Sequence, residues 1–532
     1  MKSRAKRERD GSTPSSAREA ADVKAARIAR QLKVFLVKAR SSLVGRRRAQ
    51  VSFEEILTPA LRFAVLQLRR TTTPSAKKFL AKSAWDDLCR DLSGRLAFAL
   101  APTLRLQKNT AKAVAHSMTA IKKIRKDGEE RRALRGEIML LETILEFPDL
   151  LETAAQLISG WIDAQRELLV RLLRDKADLW SLFGLGRQPF RVAHIRARLS
   201  DPHHGARTVT MVEFVDGRRI IYKPRQSDRE ELWFKALRWL NHNGIHVSFR
   251  IPKIFARRNY AWMEFLQTKG CKSPEAVRLF YFRWGMQAAL AQILRATDLH
   301  RDNWLAIGSQ PILVDAELIG DAELTSPRKK RHSKDRQFLP ALLQTGLLPL
   351  VSRDRAGFYR GIAPLDPAIP KSAPPRCWPR CGRIFQEPSK YVSDLVRGFE
   401  AVVRIFVTPE LARKFFREII LRTAGNENQR ILFRASAVYA RLLGESFEAR
   451  NMVSPGRRRR LLVRECCLSA ANRRVGLAEA RALFGSDIPR FTKRRSAVPI
   501  SWKRFSAAIT EVNNSSRLLR RRVLSKTHIH RA

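Results

Sequence analysis

The chain has 532 residues, of which 44% are hydrophobic, so it is long enough to bury a large core and to form more than one domain. Lysine and arginine number 103 against 50 aspartate and glutamate residues, giving a formal net charge of +53. Six cysteines are too few for a disulfide scaffold, and the charged N-terminus lacks the apolar segment of a secretory signal. These features favour a cytoplasmic protein, and no long apolar window predicts a membrane span.

The positive charge predicts attraction to polyanions, of which nucleic acid is one. The excess is nevertheless spread along the chain, with dense runs only at Gly456–Arg460, Pro327–His332 and Arg517–Arg522. Such runs usually form solvated faces or loops. No zinc-finger spacing, RRM signature or KH loop is present. A specific nucleic-acid module is therefore disfavoured, although the charge does not exclude nucleic acid as a partner.

The N-terminal third of the sequence predicts helices. Residues 1–50 begin as a polar tail and pass into a basic amphipathic helix. One face of that helix carries four apolar side chains, Ile28, Leu32, Phe35 and Leu36. Their spacing favours a face that docks on other helices over a membrane anchor. Residues 51–190 keep helical periodicity, with turns indicated at TTTPS and KDGEE, and the segment FPDLLETAAQLISGWIDAQRELLVRLLRDKADLWSLFG predicts two long helices.

The pattern then changes to short strands. The segment RTVTMVEFVDGRRIIYKPR has two β-rich runs around a DG turn signal, which predicts a hairpin that ends at Lys223. A helix is predicted in REELWFKALRWLNHNG, a strand in YAWMEFL, and a second helix in PEAVRLFYFRWGMQAALAQILRA. This second helix leads into the most polar cluster of the region.

That cluster is RATDLHRDNWLAIGSQPILVDAELIG, from Arg295 to Gly320. It contains the pattern D-x-H-x-x-N after a helix, formed by Asp298, His300 and Asn303, in which a carboxylate can meet a nucleophile while an amide oxygen reaches a metal. Asp315 and Glu317 follow the predicted strand ILVDAE two positions apart, so both side chains should lie on one face. Hard oxygen ligands of this kind favour Mg²⁺ over zinc.

Phosphoryl transfer from ATP requires a cation for the phosphates, oxygen ligands for Mg²⁺ and a group that orients the attacking hydroxyl. The sequence offers all three in order, because Lys223 ends a strand after a hairpin, as the phosphate-binding lysine of a kinase does. The alternative is that Asp298 and Asn303 cap helices and that Asp315 pairs with an arginine. No GxGxxG loop precedes Lys223, so a typical protein kinase is disfavoured.

The chain resembles the dehydratase domain of the type II lanthipeptide synthetases (LanM, the DUF4135 family). The resemblance covers roughly residues 50–500 and is carried, in order, by FPDLLETAAQLISGW, LSDPHHGARTVTMVEFVDGRRIIYKPR, YAWMEFL, ATDLHRDNWLAIGSQPILVDAE, LLQTGLLP, YVSDLVRGFEAVVRIF, RILFRASAVYARLL and EARALFGSDIPRF. It implies an α+β fold, mostly α overall, with a lipid-kinase-like two-lobed core and extensive added helices. It also implies that Ser and Thr of a precursor peptide, a leader plus a Ser/Thr-rich core, are phosphorylated with ATP and Mg²⁺ and that phosphate is then eliminated to give dehydroalanine and dehydrobutyrine.

The resemblance implies a domain division. Residues 191–320 would form the kinase-like core with the nucleotide and metal site. Residues 321–500 would hold an activation-loop-like segment and a C-terminal helical region with the elimination site, and residues 501–532 a basic tail. The basic loop Ser326–Arg336 lies where a kinase carries its activation loop, and we expect it to hold an acidic or phosphorylated peptide.

The resemblance also implies roles for single residues. Asp298 and His300 would act in phosphorylation, with Asp298 at the substrate hydroxyl. The metal would be held by Asn303, Asp315 and Glu317. The nucleotide would be bound by Lys223, Asp201 and His203, although PHHG leaves His204 as an alternative to His203. The alternative without a function is that Asp201 forms a turn and that the histidine ring is exposed to solvent.

For the elimination step the family pattern places an Arg and, six residues later, a Thr. Here the two positions are Arg430 and Ser436, so the hydroxyl is kept and the methyl is lost. Arg434 is a second candidate for phosphate contact, because a guanidinium can bind two phosphate oxygens at once.

The chain ends at Ala532, where a full synthetase would continue into a zinc-dependent cyclase. Ring formation is therefore not expected of it, and a separate cyclase is a candidate partner. Cys377 and Cys381, and the adjacent Cys466 and Cys467, lack the histidine spacing of a zinc site. Two other functions stay open: a catalytically impaired kinase-like protein that binds peptide or nucleic acid, and a peptide kinase that lacks efficient elimination.

Overall fold

The computed structural model describes residues 14–43, 53–121, 143, 146–184, 190–319, 341–349, 363–366, 369, 372, 374–422, 428–431, 433–468, 470, 472–494, 502–513 and 515–524. The chain divides into two compact units. The first unit consists of Met1–Pro224 and Arg434–Pro489, and the second of Arg225–Phe433 and Arg490–Ala532.

Helices make up most of the described residues. The α-helices are α1 (Pro14–Leu43), α2 (Phe53–Thr71), α3 (Pro74–Phe79), α4 (Lys82–Ile121), α5 (Pro148–Arg174), α6 (Lys176–Phe183), α7 (Asp228–His242), α8 (Pro274–Ile293), α9 (Ala341–Gln344), α10 (Val392–Val407), α11 (Pro409–Phe415), α12 (Ser436–Ser446), α13 (Ala449–Met452), α14 (Arg457–Leu468), α15 (Arg473–Phe484), α16 (Trp502–Asn513) and α17 (Ser516–Leu524). Short 3₁₀-helices span Arg301–Asn303 and Pro388–Tyr391, and a π-helix spans Phe416–Leu421.

The strands are short and antiparallel where they pair in hairpins. They are β1 (Val192–Arg196), β2 (Thr210–Phe214), β3 (Arg219–Lys223), β4 (Ile254–Arg257), β5 (Tyr260–Glu264), β6 (Trp304–Ile307), β7 (Gln310–Leu313), β8 (Arg380–Cys381), β9 (Ile384–Phe385), β10 (Asn428–Ile431) and β11 (Phe491–Arg494). Most of the described residues are helical and the strands form small sheets, which confirms the predicted α+β class.

In the first unit, α1 packs its apolar face on α5 and α2. Leu32 is fully buried, Ile28 and Leu36 are nearly so, and the ring of Phe35 lies 5.6 Å from that of Phe63. The predicted docking face of this helix is therefore confirmed.

The segment predicted as two long helices forms one long helix and one short one. Pro148 occupies the first turn of α5, where its missing N–H is not needed. The helix ends at the buried Asp175, and α6 continues for only eight residues before Gly184, whose left-handed φ of 63° closes it. The prediction of a second long helix is wrong, because Gly184 ends it after two turns.

The predicted hairpin of the first unit is confirmed. β2 pairs with β3 from Thr210 opposite Tyr222 to Glu213 opposite Arg219. Gly217 makes the turn with a φ of 79°. β1, which the sequence did not predict, pairs antiparallel with β2. Lys223 is the last residue of β3 and is 4% exposed.

The second unit is centred on the contact between α8 and α10. A β-carbon added to Gly285 would lie 1.8 Å from the carbonyl oxygen of Leu395, and one added to Gly398 would lie 1.8 Å from that of Phe282. The two helix backbones therefore touch at Gly285 and Gly398, and only glycine allows so close an approach. This close contact fixes α8, whose C-terminal end leads directly into the polar cluster.

The C-terminal residues also differ from the prediction of a basic tail. The structure shows two helices there, α16 and α17, both packed in the second unit. Phe505, Val512, Leu519 and Val523 are at most 2% exposed. Among the described basic residues, Lys503, Arg520 and Arg521 are exposed, and the abundance of such residues gives the segment the composition of a tail.

The predicted domain boundaries and the two compact units differ, because the division after Pro224 lies inside the predicted core of residues 191–320. The basic loop Ser326–Arg336 lies outside the described residues. Within the described residues, no helix is both long enough and apolar enough to cross a bilayer.

Candidate functional site

The polar cluster of the second unit begins in the loop that follows α8. Arg295 and Asp298 both adopt left-handed backbone angles, with φ values of 51° and 62°. The amide of Thr297 donates to the carbonyl of Leu318 at 2.8 Å, and that of Leu299 donates to Thr345 at 2.9 Å. Because these bonds hold both neighbours of Asp298, the loop keeps an unfavourable conformation, as functional loops commonly do.

Asn303 ties this loop to the segment after β7. Its side-chain Nδ2 donates to the carbonyl of Asp298 at 2.8 Å, and its own carbonyl accepts from the amide of Val314 at 2.8 Å. A primary amide has one donor end and one acceptor end. Since the donor end is bound to the backbone, Oδ1 is the atom of Asn303 that can meet a cation.

Asp315 and Glu317 follow β7, and both contact the same guanidinium. Nη2 of Arg225 lies 3.1 Å from Oδ1 of Asp315, and Nε lies 2.6 Å from Oε1 of Glu317. Nη1 of Arg225 contacts Glu230 of α7 at 2.5 Å. β7 ends at Leu313, so neither carboxylate lies in the strand that the prediction assumed, yet both meet at Arg225. The alternative that Asp315 pairs with an arginine is confirmed.

Glu317 is the centre of the cluster. Its Oε2 lies 2.6 Å from Nη1 of Arg430 and 3.4 Å from Nη2 of Arg490, while Oε1 is bound by Arg225. The side chain is 10% exposed. Three guanidiniums therefore surround one carboxylate, and both carboxylate oxygens have cationic partners.

The charged groups of the cluster shift one another's pKa values. Burial alone would raise the pKa of Glu317, but the guanidiniums of Arg225, Arg430 and Arg490 hold it well below its usual range. Burial works against the charged form of Arg430, yet Glu317 and Asp315 raise its pKa overall. For Arg490 burial prevails, aided by the other two arginines, and its pKa is lowered. The positive charge of Arg430 is therefore better balanced by neighbouring carboxylates than that of Arg490.

Asp298 differs from Glu317 in its electrostatics. Burial raises the pKa of its carboxyl, and the opposing attraction of His300 and Arg430 does not cancel this effect. A carboxylate whose pKa is raised is a better proton acceptor than a solvated one. Among the site residues predicted from the sequence, Asp298 thus has the environment that suits a base.

A two-stranded sheet brings the two arginines to Glu317. β10 pairs antiparallel with β11, and Arg430 lies opposite Thr492. Arg490 immediately precedes β11. The structure therefore joins Arg430, which the resemblance assigns to elimination, with Asp298 and Asp315, which it assigns to phosphorylation.

Other predicted site residues belong to the first unit. His203 donates Nδ1–H to the carbonyl of Ile488 at 2.7 Å, whereas His204 is exposed with a φ of 48°. Asp201 is exposed as well. Lys223 is buried at the end of β3, and Ser436 is the first residue of α12. Their functional roles stay predictions.

Arg434, the second candidate for phosphate contact, is bound within the first unit. Its Nη2 lies 2.7 Å from Oε2 of Glu479 and donates to the carbonyl of Cys466 at 2.6 Å. Glu479 is fully buried and also accepts from the hydroxyl of Tyr439 at 2.6 Å. These contacts connect α12, α14 and α15, so Arg434 stabilises the packing of that region.

The donor set of the second unit suits a hard cation. Within the described residues, no group of three or more His, Cys, Asp or Glu side chains has the arrangement of a metal site. Asn303 and Asp315 offer an amide oxygen and a carboxylate, the ligand types of Mg²⁺, which keeps several waters and takes few protein ligands. Glu317 fits this role less well, because both of its oxygens are bound by guanidiniums.

Sequence reasoning missed Arg225, Glu230 and Arg490. Arg225 follows Lys223 and Pro224 closely, and its position next to the predicted strand end was the available signal. Arg490 lies in the motif EARALFGSDIPRF that carries the resemblance, but no feature of the sequence separated it from the other basic residues of a chain with 103 of them. Only the pairing of β10 with β11 brings it near Glu317.

Comparison with known proteins agrees with the family predicted from the motifs. A family model described as a domain of unknown function, DUF4135, matches residues 147–366 and 367–494. The chain therefore belongs to the DUF4135 family, and the predicted membership is confirmed.

The chain is also similar to the lacticin 481/lactococcin biosynthesis protein LcnDR2 of Lactococcus lactis subsp. lactis. The two are 22% identical over 312 residues, which cover 52% of this chain and 33% of that protein. The chain thus spans about a third of the length of the curated relative it matches.

Proposed function

We propose that this protein is a lanthipeptide dehydratase that phosphorylates Ser and Thr of a precursor peptide with ATP and then eliminates the phosphate. The observation that supports this most directly is the cluster of the second unit. It joins a carboxyl with a raised pKa, Asp298, the oxygen donors Asn303 and Asp315, and the cation Arg430. We propose with it a lipid-kinase-like two-lobed fold, as the family resemblance implies.

In the first step, the substrate hydroxyl donates its proton to the carboxylate of Asp298. The hydroxyl oxygen forms a bond to the γ-phosphorus of ATP as the bond to ADP breaks, giving a phosphate ester. His300 lies near Asp298 and favours its charged form. The hydrogen bond from Asn303 to the carbonyl of Asp298 holds the loop while the proton moves.

Mg²⁺, when bound, neutralises the charge on the phosphate oxygens and orients them. We propose that Oδ1 of Asn303 and the carboxylate of Asp315 hold it. Glu317 instead orders Arg225, Arg430 and Arg490. A direct metal contact by Glu317, which the resemblance implies, would require one of these guanidiniums to move away.

The second step needs a good leaving group. Expelling hydroxide is unfavourable because water has a pKa of about 15.7, whereas phosphate, with a second pKa of about 6, leaves far more readily. A base takes the α-proton, the C–H electrons form the Cα=Cβ double bond, and the Cβ–O bond breaks with its electrons on the phosphate, giving the dehydro residue, inorganic phosphate and the protonated base. Arg430 binds the departing phosphate through charge-assisted hydrogen bonds.

The resemblance assigns further roles to residues of the first unit. We propose that Lys223, with Asp201 and His203, binds the phosphates of the nucleotide. Ser436 serves elimination in place of the Thr of the family pattern. The charge of +53 suits both nucleotide phosphates and a phosphorylated peptide.

The test is the intact mass of a candidate precursor peptide after co-expression with the protein. We expect losses of water with the wild type, an unmodified peptide with Asp315→Asn, and added phosphate without water loss with Arg430→Ala. Asp216→Asn is the matched control, because Asp216 lies in the turn between β2 and β3 of the first unit with its side chain 36% exposed. This control should give the same masses as the wild type.

Two outcomes would replace the proposal. Phosphate additions without water loss in the wild type would identify a peptide kinase that lacks elimination, with the defect at Arg430 or Ser436. A peptide that stays unmodified with ATP and Mg²⁺ across several precursors would identify a kinase-like binding protein. Normal dehydration by Arg430→Ala would remove the role assigned to that residue.

A further inference from the structure

Two arginines of the second unit share one acceptor. Nη1 of Arg430 and Nη2 of Arg490 both approach Oε2 of Glu317, at 2.6 Å and 3.4 Å. Arg225 does not compete for that oxygen, because it binds Oε1 and has Glu230 and Asp315 as further partners. One carboxylate oxygen is therefore the acceptor for two guanidiniums, each of which carries about five N–H donors.

Both side chains also have unused donors. Nε of Arg430 and Nε of Arg490 are buried and lack a hydrogen-bond partner among the described residues. Buried polar groups in native proteins are normally bonded, and these two unbonded atoms belong to arginines that share one carboxylate oxygen. Arg490 is 13% exposed and Arg430 14%, which leaves little surface for water.

Arg458 of the first unit shows how a buried structural arginine is satisfied. Its guanidinium donates to the carbonyls of Leu483 and Phe484 at 3.0 and 2.9 Å and to the hydroxyls of Ser446 and Thr153 at 3.2 Å each. Burial lowers its pKa to about 9, yet each guanidinium nitrogen is bonded. Arg490 shares the burial and the lowered pKa but has a single long contact.

We propose that Arg490 is a second phosphate-binding residue, which together with Arg430 grips the phosphate ester of the modified Ser or Thr. This inference rests on the proposed function. A tetrahedral phosphate offers three outward oxygens, so it can accept from both Nε–H groups while Glu317 keeps the two guanidiniums aligned. Arg490 is thereby a binding residue, and Glu317 is a positioning residue.

The first test measures binding apart from catalysis. Titration calorimetry with inorganic phosphate compares the wild type, Arg490→Gln and Arg490→Lys, with Arg397→Gln as control, because Arg397 of α10 is a 71% exposed arginine of the same unit. We expect Arg490→Gln to weaken phosphate binding about tenfold or more, the loss of a charged hydrogen bond. Arg490→Lys should recover part of the affinity, and the control should bind as the wild type does.

The second test separates elimination from phosphorylation. A synthetic precursor peptide that already carries phosphoserine is incubated with each variant, and release of phosphate is followed. We expect Arg490→Gln to slow release at least tenfold, because a charged contact to the leaving group is lost. Phosphorylation of the unphosphorylated peptide is followed in parallel, and we expect Arg490→Gln to slow phosphate release more than it slows phosphorylation.

Three results would overturn the inference. Arg490→Gln could bind phosphate as the wild type does, it could lose thermal stability with its phosphate affinity unchanged, or Arg397→Gln could lose as much affinity. The dehydratase proposal is judged independently, by water loss from the precursor peptide. Phosphate binding that depends on Arg490 in a protein without dehydration would keep the anion site and reject the proposed function.

Discussion

Two buried glutamates, one in each unit, have opposite environments. Glu317 of the second unit contacts three guanidiniums, and their attraction outweighs burial and lowers the pKa of its carboxyl well below the usual range. Glu479 of the first unit contacts one guanidinium, that of Arg434, and the hydroxyl of Tyr439. There burial prevails, and the pKa of the carboxyl is raised.

The difference shows what each cluster can do. Arg434 is also bonded to a backbone carbonyl, so its guanidinium connects α14 with α15. Arg430 and Arg490 keep unbonded Nε atoms, so the Glu317 cluster can accept a further anion. A buried ion pair is weak proof of stabilisation in itself. An unused arginine donor also occurs at Nη2 of Arg95, so the feature particular to the candidate functional site is that two guanidiniums with unused Nε donors share one carboxylate.

The largest expected effect comes from removing Glu317. Glu317→Leu leaves Arg430 and Arg490 buried without their carboxylate, and breaking a buried pair in this way typically costs about 3–5 kcal/mol. We expect a loss of that order in the free energy of unfolding in urea, together with loss of dehydration.

Glu479→Gln is the comparison for this variant. The amide keeps a hydrogen bond to Tyr439 or Arg434, so we expect a loss of about 1–3 kcal/mol and normal dehydration. Equal losses of stability and activity in the two variants would contradict the contrast between the clusters.

A smaller effect is expected from Arg225→Lys, which replaces the guanidinium with an ammonium group. Arg225 reaches Glu230, Asp315 and Glu317 through three different nitrogens. Lysine keeps the charge but cannot hold three separated carboxylates. Arg225→Lys should therefore slow phosphorylation about tenfold, the loss of one charged hydrogen bond.

The rate of phosphate transfer to the peptide, followed by mass spectrometry, measures this effect. Arg434→Lys is the matched control, since it makes the same exchange in the cluster of Glu479. That variant should lose stability and keep the rate of phosphorylation. An unchanged rate in Arg225→Lys would mean that Arg225 does not position Asp315.

The two glutamates should also differ in their response to pH. The depressed pKa of Glu317 contributes stability above the pKa of an unfolded Glu, about 4.3, and that contribution disappears as the pH falls through the folded value. The raised pKa of Glu479 contributes stability below about 4.3 that is lost as the pH rises through the folded value.

Urea midpoints of Glu317→Gln and Glu479→Gln across the acidic range check both signs. The stability gap between wild type and Glu317→Gln should narrow on acidification, and the gap for Glu479→Gln should widen. Parallel trends in the two variants would show that the surrounding arginines do not set these pKa values.

The same contrast explains what the sequence could predict. Asp298, Asn303, Asp315 and Glu317 are local, lying within one loop and one strand end, and their spacing was enough to place them together. The hairpin at Asp216–Gly217 was local as well. Arg430 and Arg490 reach Glu317 only through the pairing of β10 with β11, which no short-range pattern encodes.

Two basic segments were misinterpreted for the same reason: their burial depends on residues that are distant in the sequence. The C-terminal helices α16 and α17 were predicted as a tail because their basic residues outweigh a narrow apolar face. The run at Gly456–Arg460 was assigned to a solvated surface, and Arg457, Arg459 and Arg460 are indeed exposed. Arg458 is fully buried, since the polar groups that satisfy it come from distant parts of the first unit.

The smallest expected effect tests the first unit at Ser436. This residue begins α12 and is partly buried, and the resemblance assigns its hydroxyl to elimination. Ser436→Thr restores the methyl group of the family pattern, which restricts the rotation of the hydroxyl. We expect phosphate release from a phosphoserine peptide to rise about two- to fivefold, which is a gain below about 1 kcal/mol.

Stability should change by less than about 0.5 kcal/mol, as for most substitutions near a surface. Ser436→Ala is the partner variant, because it removes the hydroxyl and leaves the helix start otherwise unchanged. If the hydroxyl acts in elimination, Ser436→Ala should accumulate phosphopeptide while Ser436→Thr depletes it. Equal rates in all three proteins would mean that the hydroxyl of Ser436 does not act in elimination. Arg430 and Arg490 would then be the residues proposed to bind the departing phosphate.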